Sequence, residues 1–381
     1  MDNKIIKVLW VIGSFDIGGV QLYLLNILRN INRDLFHFDI VLTYSQEGVL
    51  IDEVKKLGAR VFFCPRRHIF FNKKFKNLLL QNGPYDIIHS HVHEFGGYIF
   101  KLAKKCGILT RIAHSHTDTS KITHLFGYTR RIYYNLLKYM IKRYATLGIG
   151  CSKKAAESLF GPNWEKDNRW HVLYSCIDLE PFSIEINKME VRQEFGIAKD
   201  TLVVGNIARF TPSKNHIFLL EIANEMIKYE KNIKFLLIGD GPNRQEIEKQ
   251  ADRMNLKDKI IFTGTVENIS RLMLGAMDLF VFPSLFEGLP LVVLEAQAAG
   301  LPCFISDVIT EEVAFISNLV YRLSLNQPAE IWAKKILDNK NKKNIISQKE
   351  AVSLLKKSHF NIVNHVQELT DIYMLSVFQN K

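Results

Sequence analysis

Short apolar runs alternate with longer amphipathic stretches along the whole chain, and glycine or proline stands at many of the junctions. The first apolar run, residues 5–12, is followed by Gly18, Gly19 and a helical pattern over 20–31. This order of strand, glycine loop and helix is typical of a βαβ unit. The same rhythm predicts further strands at 38–42, 60–64, 86–90, 111–115 and 147–151. Such alternation predicts a parallel sheet covered by helices on both faces.

A second series of the same kind follows a charged helix predicted at 187–195. Its strands are predicted at 201–207, 233–238, 259–262, 279–282 and 302–305, and a helix is predicted over 347–378. The fold class is therefore α/β, with two Rossmann-like doubly wound domains at 1–180 and 181–358. Ligands of such folds bind beyond the carboxyl ends of the strands, so we expect the two domains to face each other across a cleft that holds the active site.

Length and composition exclude several classes of protein. The 381 residues are enough for two buried cores, and the longest apolar runs, such as 289–294, are far shorter than the roughly 20 residues of a membrane-spanning helix. The N-terminus has no signal-peptide pattern, so we expect a cytoplasmic protein. The five cysteines form no CxxC pair, which favours reduced thiols over a zinc site.

The net charge of +11 lies entirely in the N-terminal half, where residues 1–180 contain 26 Lys and Arg against 15 Asp and Glu. Two stretches without any acidic residue, 54–85 and 119–156, concentrate this charge and interleave it with aromatic residues. A basic, aromatic surface of this kind suits an anionic membrane or a phosphate-rich partner, although solvated lysines on ordinary helices would give the same pattern. No helix-turn-helix, zinc or RNA-binding signature accompanies the charge, so nucleic acid is not an expected partner.

The stretch F-E-G-L-P-L-V-V-L-E-A-Q-A-A-G-L-P, residues 286–302, carries two carboxylates around the start of a helix predicted over 290–300. Glu287 precedes this helix and Glu295 lies inside it. The backbone N–H groups of Leu289 and Leu291 then stand at a helix N-terminus, which favours an anion. A carboxylate beside such a site can accept hydrogen bonds from sugar hydroxyls. The alternative is a buried helix whose two carboxylates are satisfied within the protein.

Cations and glycines follow other predicted strands. Arg209 and Lys214 occupy the loop after the strand at 201–207, where two cations can clamp a diphosphate and stabilise the charge of a leaving group. Taken alone, two such cations are more often surface charges than ligands. Gly239, in a G-D-G-P turn, is a weak nucleotide signal, and Gly18 and Gly19 permit close approach of the backbone to a ligand.

Histidines alternate after two of the N-terminal strands. His89, His91 and His93 form one group, and His114 and His116 form another. Without a matching cysteine or carboxylate pattern, a metal site is not expected. One histidine that donates to or accepts from substrate, with the others in the core or supporting it, is the favoured interpretation.

Together these motifs resemble the retaining glycosyltransferases of family 4, which have the GT-B fold. The resemblance rests on E-G-L-P-L-V-V-L-E with its A-x-A-A-G-x-P tail, on R-F-x-x-x-K-N at 209–215, on L-I-G-D-G-P at 237–242 and on the early G-G-V. The stretches R-I-A-H-S-H at 111–116 and F-I-S-D-V-I-T-E-E-V at 304–313 are most similar to the branch that builds bacterial capsular polysaccharides and exopolysaccharides.

The resemblance implies transfer of a sugar from a nucleotide-diphosphate donor, expected to be a UDP-sugar, with retention of configuration and without a metal or other cofactor. The acceptor would be a saccharide linked to polyprenyl diphosphate, and the enzyme would lie peripherally on the inner face of the membrane. The C-terminal segment 359–381 would be a helix that crosses back to the N-terminal domain.

The resemblance also implies a role for individual residues. Arg209 and Lys214 would hold the diphosphate, Glu295 the ribose and Glu287 the hydroxyls of the donor sugar, while Gly19 would let its loop approach the phosphate. His114 would contact the sugar near the reacting carbon, and His116 is the alternative for that role. Two other functions stay open: a GT-B-fold sugar-nucleotide epimerase, and a non-catalytic partner of a glycosyltransferase.

Overall fold

The computed structural model describes residues 5–16, 18–45, 48–119, 127–340 and 346–378. These residues fall into two compact units. The N-terminal unit is Met1–Cys176 together with Ile362–Lys381, and the C-terminal unit is Ile177–Asn361. Each unit is built around one parallel sheet.

The N-terminal unit has a seven-stranded sheet in the order β3-β2-β1-β4-β5-β6-β7, with every pair of neighbours parallel. Its strands are β1 (Ile6–Ile12), β2 (Phe36–Leu42), β3 (Arg60–Phe63), β4 (Ile87–Ser90), β5 (Thr110–Ser115), β6 (Leu147–Gly150) and β7 (Trp170–Val172). The helices that connect them are α1 (Gly19–Asn30), α2 (Ile51–Lys56), α3 (Phe71–Asn82), α4 (Gly96–Lys105), α5 (Tyr128–Tyr144) and α6 (Lys153–Phe160).

The C-terminal unit has a six-stranded parallel sheet in the order β10-β9-β8-β11-β12-β13. Its strands are β8 (Leu202–Ile207), β9 (Ile233–Ile238), β10 (Ile260–Gly264), β11 (Leu279–Phe282), β12 (Cys303–Ser306) and β13 (Val320–Leu323). Its helices are α7 (Lys188–Glu194), α8 (His216–Tyr229), α9 (Arg244–Arg253), α10 (Ile269–Gly275), α11 (Leu291–Ala298), α12 (Ala329–Asp338) and α13 (Gln348–Lys356).

The central strands are buried on both faces, as parallel sheets between helices require. In β11 and β12 every residue is buried, and β1 has only one residue that is not. The expected fold class, α/β with two Rossmann-like units, is therefore confirmed. The edge strands β7 and β13 were not predicted, because each is short and a polar residue, His171 or Arg322, interrupts its apolar residues.

In both sheets the strand order reverses beside the first strand of the unit, between β1 and β4 and between β8 and β11. Chains that leave these two neighbouring strands turn to opposite sides of the sheet. This opens a crevice at the carboxyl ends of the strands, which is where doubly wound folds bind ligands.

The C-terminal segment does not form the single helix predicted over 347–378. It forms α13 and a second helix, α14 (Ile362–Phe378), with a break between them. At the break the Ser358 hydroxyl donates to the Leu355 carbonyl at 2.7 Å and accepts from the Phe360 N–H at 3.1 Å. Such local side-chain bonds compete with the helical ladder.

The last helix, α14, packs on the sheet of the N-terminal unit. Trp10 in β1 donates its indole N–H to the Tyr373 hydroxyl at 3.1 Å. The Tyr23 hydroxyl in α1 and His365 Nε2 are hydrogen-bonded at 2.8 Å. Of the helices in the described part of the chain, none is both long and apolar enough to cross a bilayer.

Candidate functional site

Lys214 and Glu287 meet at the switch point of the C-terminal sheet. Lys214 ends a short 3-10 turn after β8, and Glu287 lies in the loop after β11. The Lys214 ammonium forms an ion pair with Glu287 Oε1, and the two side chains are 23% and 12% exposed. The Ser284 hydroxyl donates to the same carboxylate oxygen at 2.6 Å. The structure thus brings together two residues that the sequence placed 73 positions apart.

Backbone and side-chain hydrogen bonds hold these two loops in register. Asn215 adopts the left-handed conformation, with φ of 56°, and its amide donates to the Pro283 carbonyl at 3.1 Å. The backbone N–H of Leu285 donates to the Ser213 carbonyl at 2.8 Å. Because both bonds flank the Lys214–Glu287 pair, the position of the charges is fixed by the loops and not only by their own attraction.

Arg209 lies on the first of these loops and is exposed. Its guanidinium makes no hydrogen bond or ion pair with any other residue that the structure describes. A guanidinium that is free of carboxylate partners keeps its planar set of donors available for a phosphate. The site therefore holds Lys214, which is paired, and Arg209, which has no partner in the described part of the chain.

Gly239 is required by packing where β9 ends. Its φ of 134° suits only glycine, and a Cβ there would come within 2.1 Å of the Ala208 carbonyl oxygen. Its N–H donates to the Gly264 carbonyl at 2.8 Å. The close approach of the loops after β8 and β9 thus explains this glycine without a ligand.

Glu295 and the two leucines lie at the N-terminal part of α11, which follows the Glu287 loop. Pro290 is the N-cap and Leu291 the first helical residue, so the Leu291 N–H has no acceptor within the helix. Leu289 precedes the cap and is buried. Although the Glu295 side chain keeps some accessible surface, the protein that surrounds it desolvates the carboxylate and raises its pKa to about 7. No ion pair involves Glu295 within the described residues.

In the N-terminal unit, strand alternation places the histidines on one face of the sheet. Trp10 of β1 is the register partner of His89 in β4, and side chains two residues apart along a strand share a face. His91 and His114 therefore follow on the same side. The paired nitrogens are His89 Nε2 with His114 Nδ1, at 3.2 Å, and His91 Nδ1 with His116 Nε2, at 2.9 Å. The prediction that both groups lie at strand carboxyl ends is correct.

The structure places His114 and His116 side by side, with ring centroids 3.9 Å apart. Burial lowers the pKa of His114 well below 6.5 and lowers that of His116 to about 3, so both rings are neutral at pH 7. The two rings differ in the hydrogen bonding of Nε2. His116 Nε2 is bonded to His91, whereas His114 Nε2 is buried and has no hydrogen-bond partner among the described residues.

Gly18 and Gly19 stand at the start of α1. Gly18 is an extended N-cap without a side chain to cap the helix, and Gly19 is exposed. A Cβ at Gly19 would meet no atom within 4 Å, so packing does not require glycine there. Lys121, in one of the basic stretches, lies outside the described residues.

Sequence reasoning missed several residues of these sites. Ser284 and Pro283, which contact Glu287 and Asn215, carried no motif signal of their own. Tyr373, which is hydrogen-bonded to His89 at 2.7 Å, comes from a helix 284 positions away and could not be inferred from local pattern.

Two family models match the chain, Glycosyltransferase Family 4 over residues 17–181 and Glycosyl transferases group 1 over residues 187–349. The putative glycosyltransferase EpsF of Bacillus subtilis is 37% identical over 344 residues, which are 88% of this chain and 88% of EpsF. An Escherichia coli UDP-Gal:alpha-D-GlcNAc-diphosphoundecaprenol alpha-1,3-galactosyltransferase is 30% identical, with 88% and 89% of the two chains covered. The capsular polysaccharide biosynthesis glycosyltransferase CapH of Staphylococcus aureus is 26% identical, with 97% and 99% covered.

Among solved structures, Anabaena HepE in complex with UDP and glucose superposes with a TM-score of 0.80 at 18% identity, covering 97% of this chain and 99% of HepE. At 18% identity, this structural similarity is evidence for the fold alone. The sequence relatives are similar enough to show the family as well as the fold. The chain belongs to the glycosyltransferases of family 4, with the GT-B fold. The expected resemblance is confirmed, including its branch, since the relatives include an enzyme of capsular polysaccharide biosynthesis.

Proposed function

We propose that this glycosyltransferase moves a sugar, with retention of configuration, from a UDP-sugar to a saccharide linked to polyprenyl diphosphate, in the synthesis of a capsular polysaccharide or exopolysaccharide. The observation that carries the proposal is the Lys214–Glu287 ion pair at the switch point, together with Arg209, which lies on the same loop as Lys214 and has no partner among the described residues. The name of the Escherichia coli relative supports both the uridine nucleotide and the lipid-linked acceptor.

The two cations suit a diphosphate. Arg209 and Lys214 with Glu287 sum to a charge of +1, so the loops attract a diphosphate even while Lys214 is paired. As the bond from sugar to phosphate breaks, negative charge grows on the leaving diphosphate, and fixed cations stabilise that charge more than they stabilise the ground state. In this proposal no metal ion is required, because the two cations stabilise the negative charge of the diphosphate, as Mg²⁺ does in other enzymes.

The carboxylates suit hydroxyl groups. Glu287, held by Lys214 and Ser284, has remaining lone pairs that can accept from hydroxyls of the donor sugar. Glu295, one turn into α11, accepts from the two ribose hydroxyls. We also assign to donor binding the Leu289 and Leu291 N–H groups and the backbone of the turn at Gly239, and we assign Gly18 and Gly19 to contact with the phosphate.

His114 is assigned to the sugar near the reacting carbon. Its unpartnered Nε2 supports this choice over His116, whose Nε2 already bonds to His91. In the proposed reaction the leaving phosphate oxygen takes the proton of the acceptor hydroxyl, and the new glycosidic bond forms on the face that the diphosphate leaves.

The acceptor part of the proposal rests on α5. One side of this helix packs through Leu137, Met140 and Ile141, all of them buried. A second apolar stripe faces solvent at helical spacing and consists of Tyr128, Ile132, Leu136 and Tyr139, which are 80%, 51%, 54% and 63% exposed. Arginines and lysines flank the stripe. An amphipathic helix of this kind binds an anionic bilayer surface, where a polyprenyl-linked acceptor lies.

The membrane step is tested by flotation with vesicles that contain anionic lipid, at physiological salt. The wild type should float, and the double variant Leu136→Ser, Tyr139→Ser should stay with the unbound protein. Ile331→Ser, which removes a comparably exposed residue from the C-terminal unit, is the control and should still float. Wild-type protein that does not float would refute membrane binding and leave sugar transfer standing.

The reaction is tested by incubating the enzyme with UDP-sugars and GDP-sugars and a short-chain polyprenyl-diphosphate saccharide, with and without a chelator. The expected product is one glycoside whose anomeric configuration, read by NMR, equals that of the donor. An inverted product would refute retention, and loss of activity with chelator would refute metal independence. A sugar nucleotide that changes configuration without an acceptor would favour the epimerase, and binding without any reaction would favour the non-catalytic partner.

A further inference from the structure

We propose that Trp10, Tyr373 and His89 form a directed chain of hydrogen bonds that holds His114 with its proton on Nε2, so that His114 presents a hydrogen-bond donor to an oxygen atom of the bound donor substrate. Trp10, Tyr373 and His89 are positioning residues in this scheme. The inference rests on the proposed function for the identity of the ligand, but the direction of the chain rests on the protein alone.

The direction is fixed at its first member. An indole N–H can only donate, and Trp10 donates to the Tyr373 hydroxyl at 3.1 Å. The hydroxyl has a single proton, and its other partner is His89 Nδ1 at 2.7 Å. Burial raises the pKa of Tyr373, so the phenol keeps its proton and donates it to His89 Nδ1. Trp10 and Tyr373 are both fully buried, so water does not compete for these bonds.

His89 accepts from Tyr373 and donates to His114. Burial lowers the pKa of His89 well below 6.5, so the ring is neutral and carries one proton. Since Nδ1 accepts from Tyr373, that proton is on Nε2. His89 Nε2 faces His114 Nδ1 at 3.2 Å, and the two rings are nearly parallel, with 5° between their planes. His89 therefore donates to His114.

The chain ends at His114. Its ring is neutral as well, and Nδ1 accepts from His89, so Nε2 bears the proton. This N–H is buried and has no acceptor among the described residues. A buried donor without an acceptor is costly, and an oxygen atom of a bound ligand removes that cost. The ligand atom must be an acceptor, such as a sugar hydroxyl oxygen or a phosphate oxygen.

A metal ion is the competing interpretation, because His89, His91 and His114 each offer a nitrogen within 4.8 Å of the others. The hydrogen bonds favour the chain. A metal on His89 Nε2 would put the ring proton on Nδ1, facing the Tyr373 hydroxyl. That oxygen already accepts from Trp10, and the proton of Tyr373 would then have lost its acceptor.

The test is ¹⁵N NMR of histidine-labelled full-length protein without substrate, since the chemical shift of a ring nitrogen distinguishes its protonated and unprotonated forms. His114→Asn assigns the signal. The expected result is a wild-type His114 with Nε2 protonated and Nδ1 unprotonated. The opposite tautomer in the wild type would overturn the proposal, and so would one equivalent of tightly bound metal found by elemental analysis.

Tyr373→Phe removes the donor to His89 and should let part of the His114 population move its proton to Nδ1. The matched control is Tyr85→Phe, which removes a buried hydroxyl that donates to Asp39 of β2 at 2.6 Å but leaves the chain of hydrogen bonds to His114 intact. In Tyr373→Phe, kcat should fall in proportion to the lost Nε2–H fraction while KM for the donor changes less than twofold. Unchanged tautomers in this variant would overturn the chain.

The two proposals fail separately. A wild-type His114 protonated on Nε2 in a protein that transfers no sugar would preserve the chain and refute the proposed reaction. Transfer by a protein whose His114 carries its proton on Nδ1 would do the reverse. The wild-type spectrum decides the direction of the chain even if Tyr373→Phe does not fold.

Discussion

Replacement of Lys214 by methionine removes one charge from the centre of the proposed donor site and little else. Methionine keeps most of the unbranched stem, which lies near the Phe282 ring at a distance of 5.3 Å from the ammonium to the ring centroid. The Ser284 hydroxyl still donates to Glu287. The variant thus separates the loss of a cation from the loss of the loop structure.

The cost to stability follows from the exposure of the pair. Breaking a fully buried ion pair costs about 3–5 kcal/mol, because the remaining charge is left without a partner. Here the two side chains are 23% and 12% exposed and Glu287 keeps its serine donor, so we expect a loss of about 1–2 kcal/mol in the free energy of unfolding. Catalysis should also be impaired, because the leaving diphosphate loses a stabilising cation. A cation that stabilises the leaving diphosphate is worth at least about tenfold in kcat/KM, or about 1.4 kcal/mol.

Urea unfolding and steady-state kinetics measure the two effects on the same protein. The control is Lys340→Met, which breaks the Lys340–Glu230 pair in the same unit, where the side chains are 33% and 24% exposed. Because this pair is more exposed, the control should lose no more stability than Lys214→Met, and it should keep its kcat/KM. The reasoning is refuted if Lys214→Met folds and turns over like the wild type, or if the control loses activity to the same extent.

Three other substitutions test the site. Arg209→Ala should lower kcat/KM at least about tenfold and change the free energy of unfolding by less than about 0.5 kcal/mol, since the exposed guanidinium has no described partner. Gly239→Ala should destabilise by about 1–3 kcal/mol, because its φ of 134° and the Ala208 carbonyl both oppose a side chain. Glu295→Gln should gain stability relative to the wild type by about 3 kcal/mol as the pH rises from below 4.5 to above 7.

The sign of the last prediction follows from the raised pKa of Glu295. The folded protein holds the carboxyl proton up to pH of about 7, whereas the unfolded chain releases it near 4.5. The stability that the protonated group contributes is therefore complete below pH 4.5 and is lost as the pH rises through 7, and glutamine has no proton to lose. A difference between the two proteins that does not vary with pH would contradict the raised pKa. An alanine at 239 without effect would contradict the crowded turn, and an Arg209→Ala enzyme of normal kcat/KM would place Arg209 outside the donor site.

Periodicity was enough to predict the parts of the fold that are buried on both faces. The strands 233–238 and 279–282 were predicted with the bounds that the structure has. The pattern was insufficient for the short strands β7 and β13, whose apolar residues are interrupted by His171 and Arg322, and where side chains end a helix, as Ser358 does.

Some residues of the candidate sites could also be predicted from the sequence, and others could not. Lys214 and Glu287 could be predicted because each follows a strand, and the order of a doubly wound sheet brings those strands together. The histidine groups could be predicted because alternation puts them on one face. The bond from Tyr373 to His89 could not, since it depends on where a distant helix docks. No local sequence pattern encodes the direction of the hydrogen bonds in such a contact.

The most direct test of the central claim is a calorimetric titration of the purified protein with UDP, GDP and their sugar conjugates. We expect one uridine diphosphate compound to bind, binding to be at least about tenfold weaker in Lys214→Met, and Lys340→Met to bind as the wild type does. Binding that is equal in all three proteins would place the donor elsewhere. A wild-type protein that binds none of these compounds would contradict the proposed transfer from a nucleotide sugar.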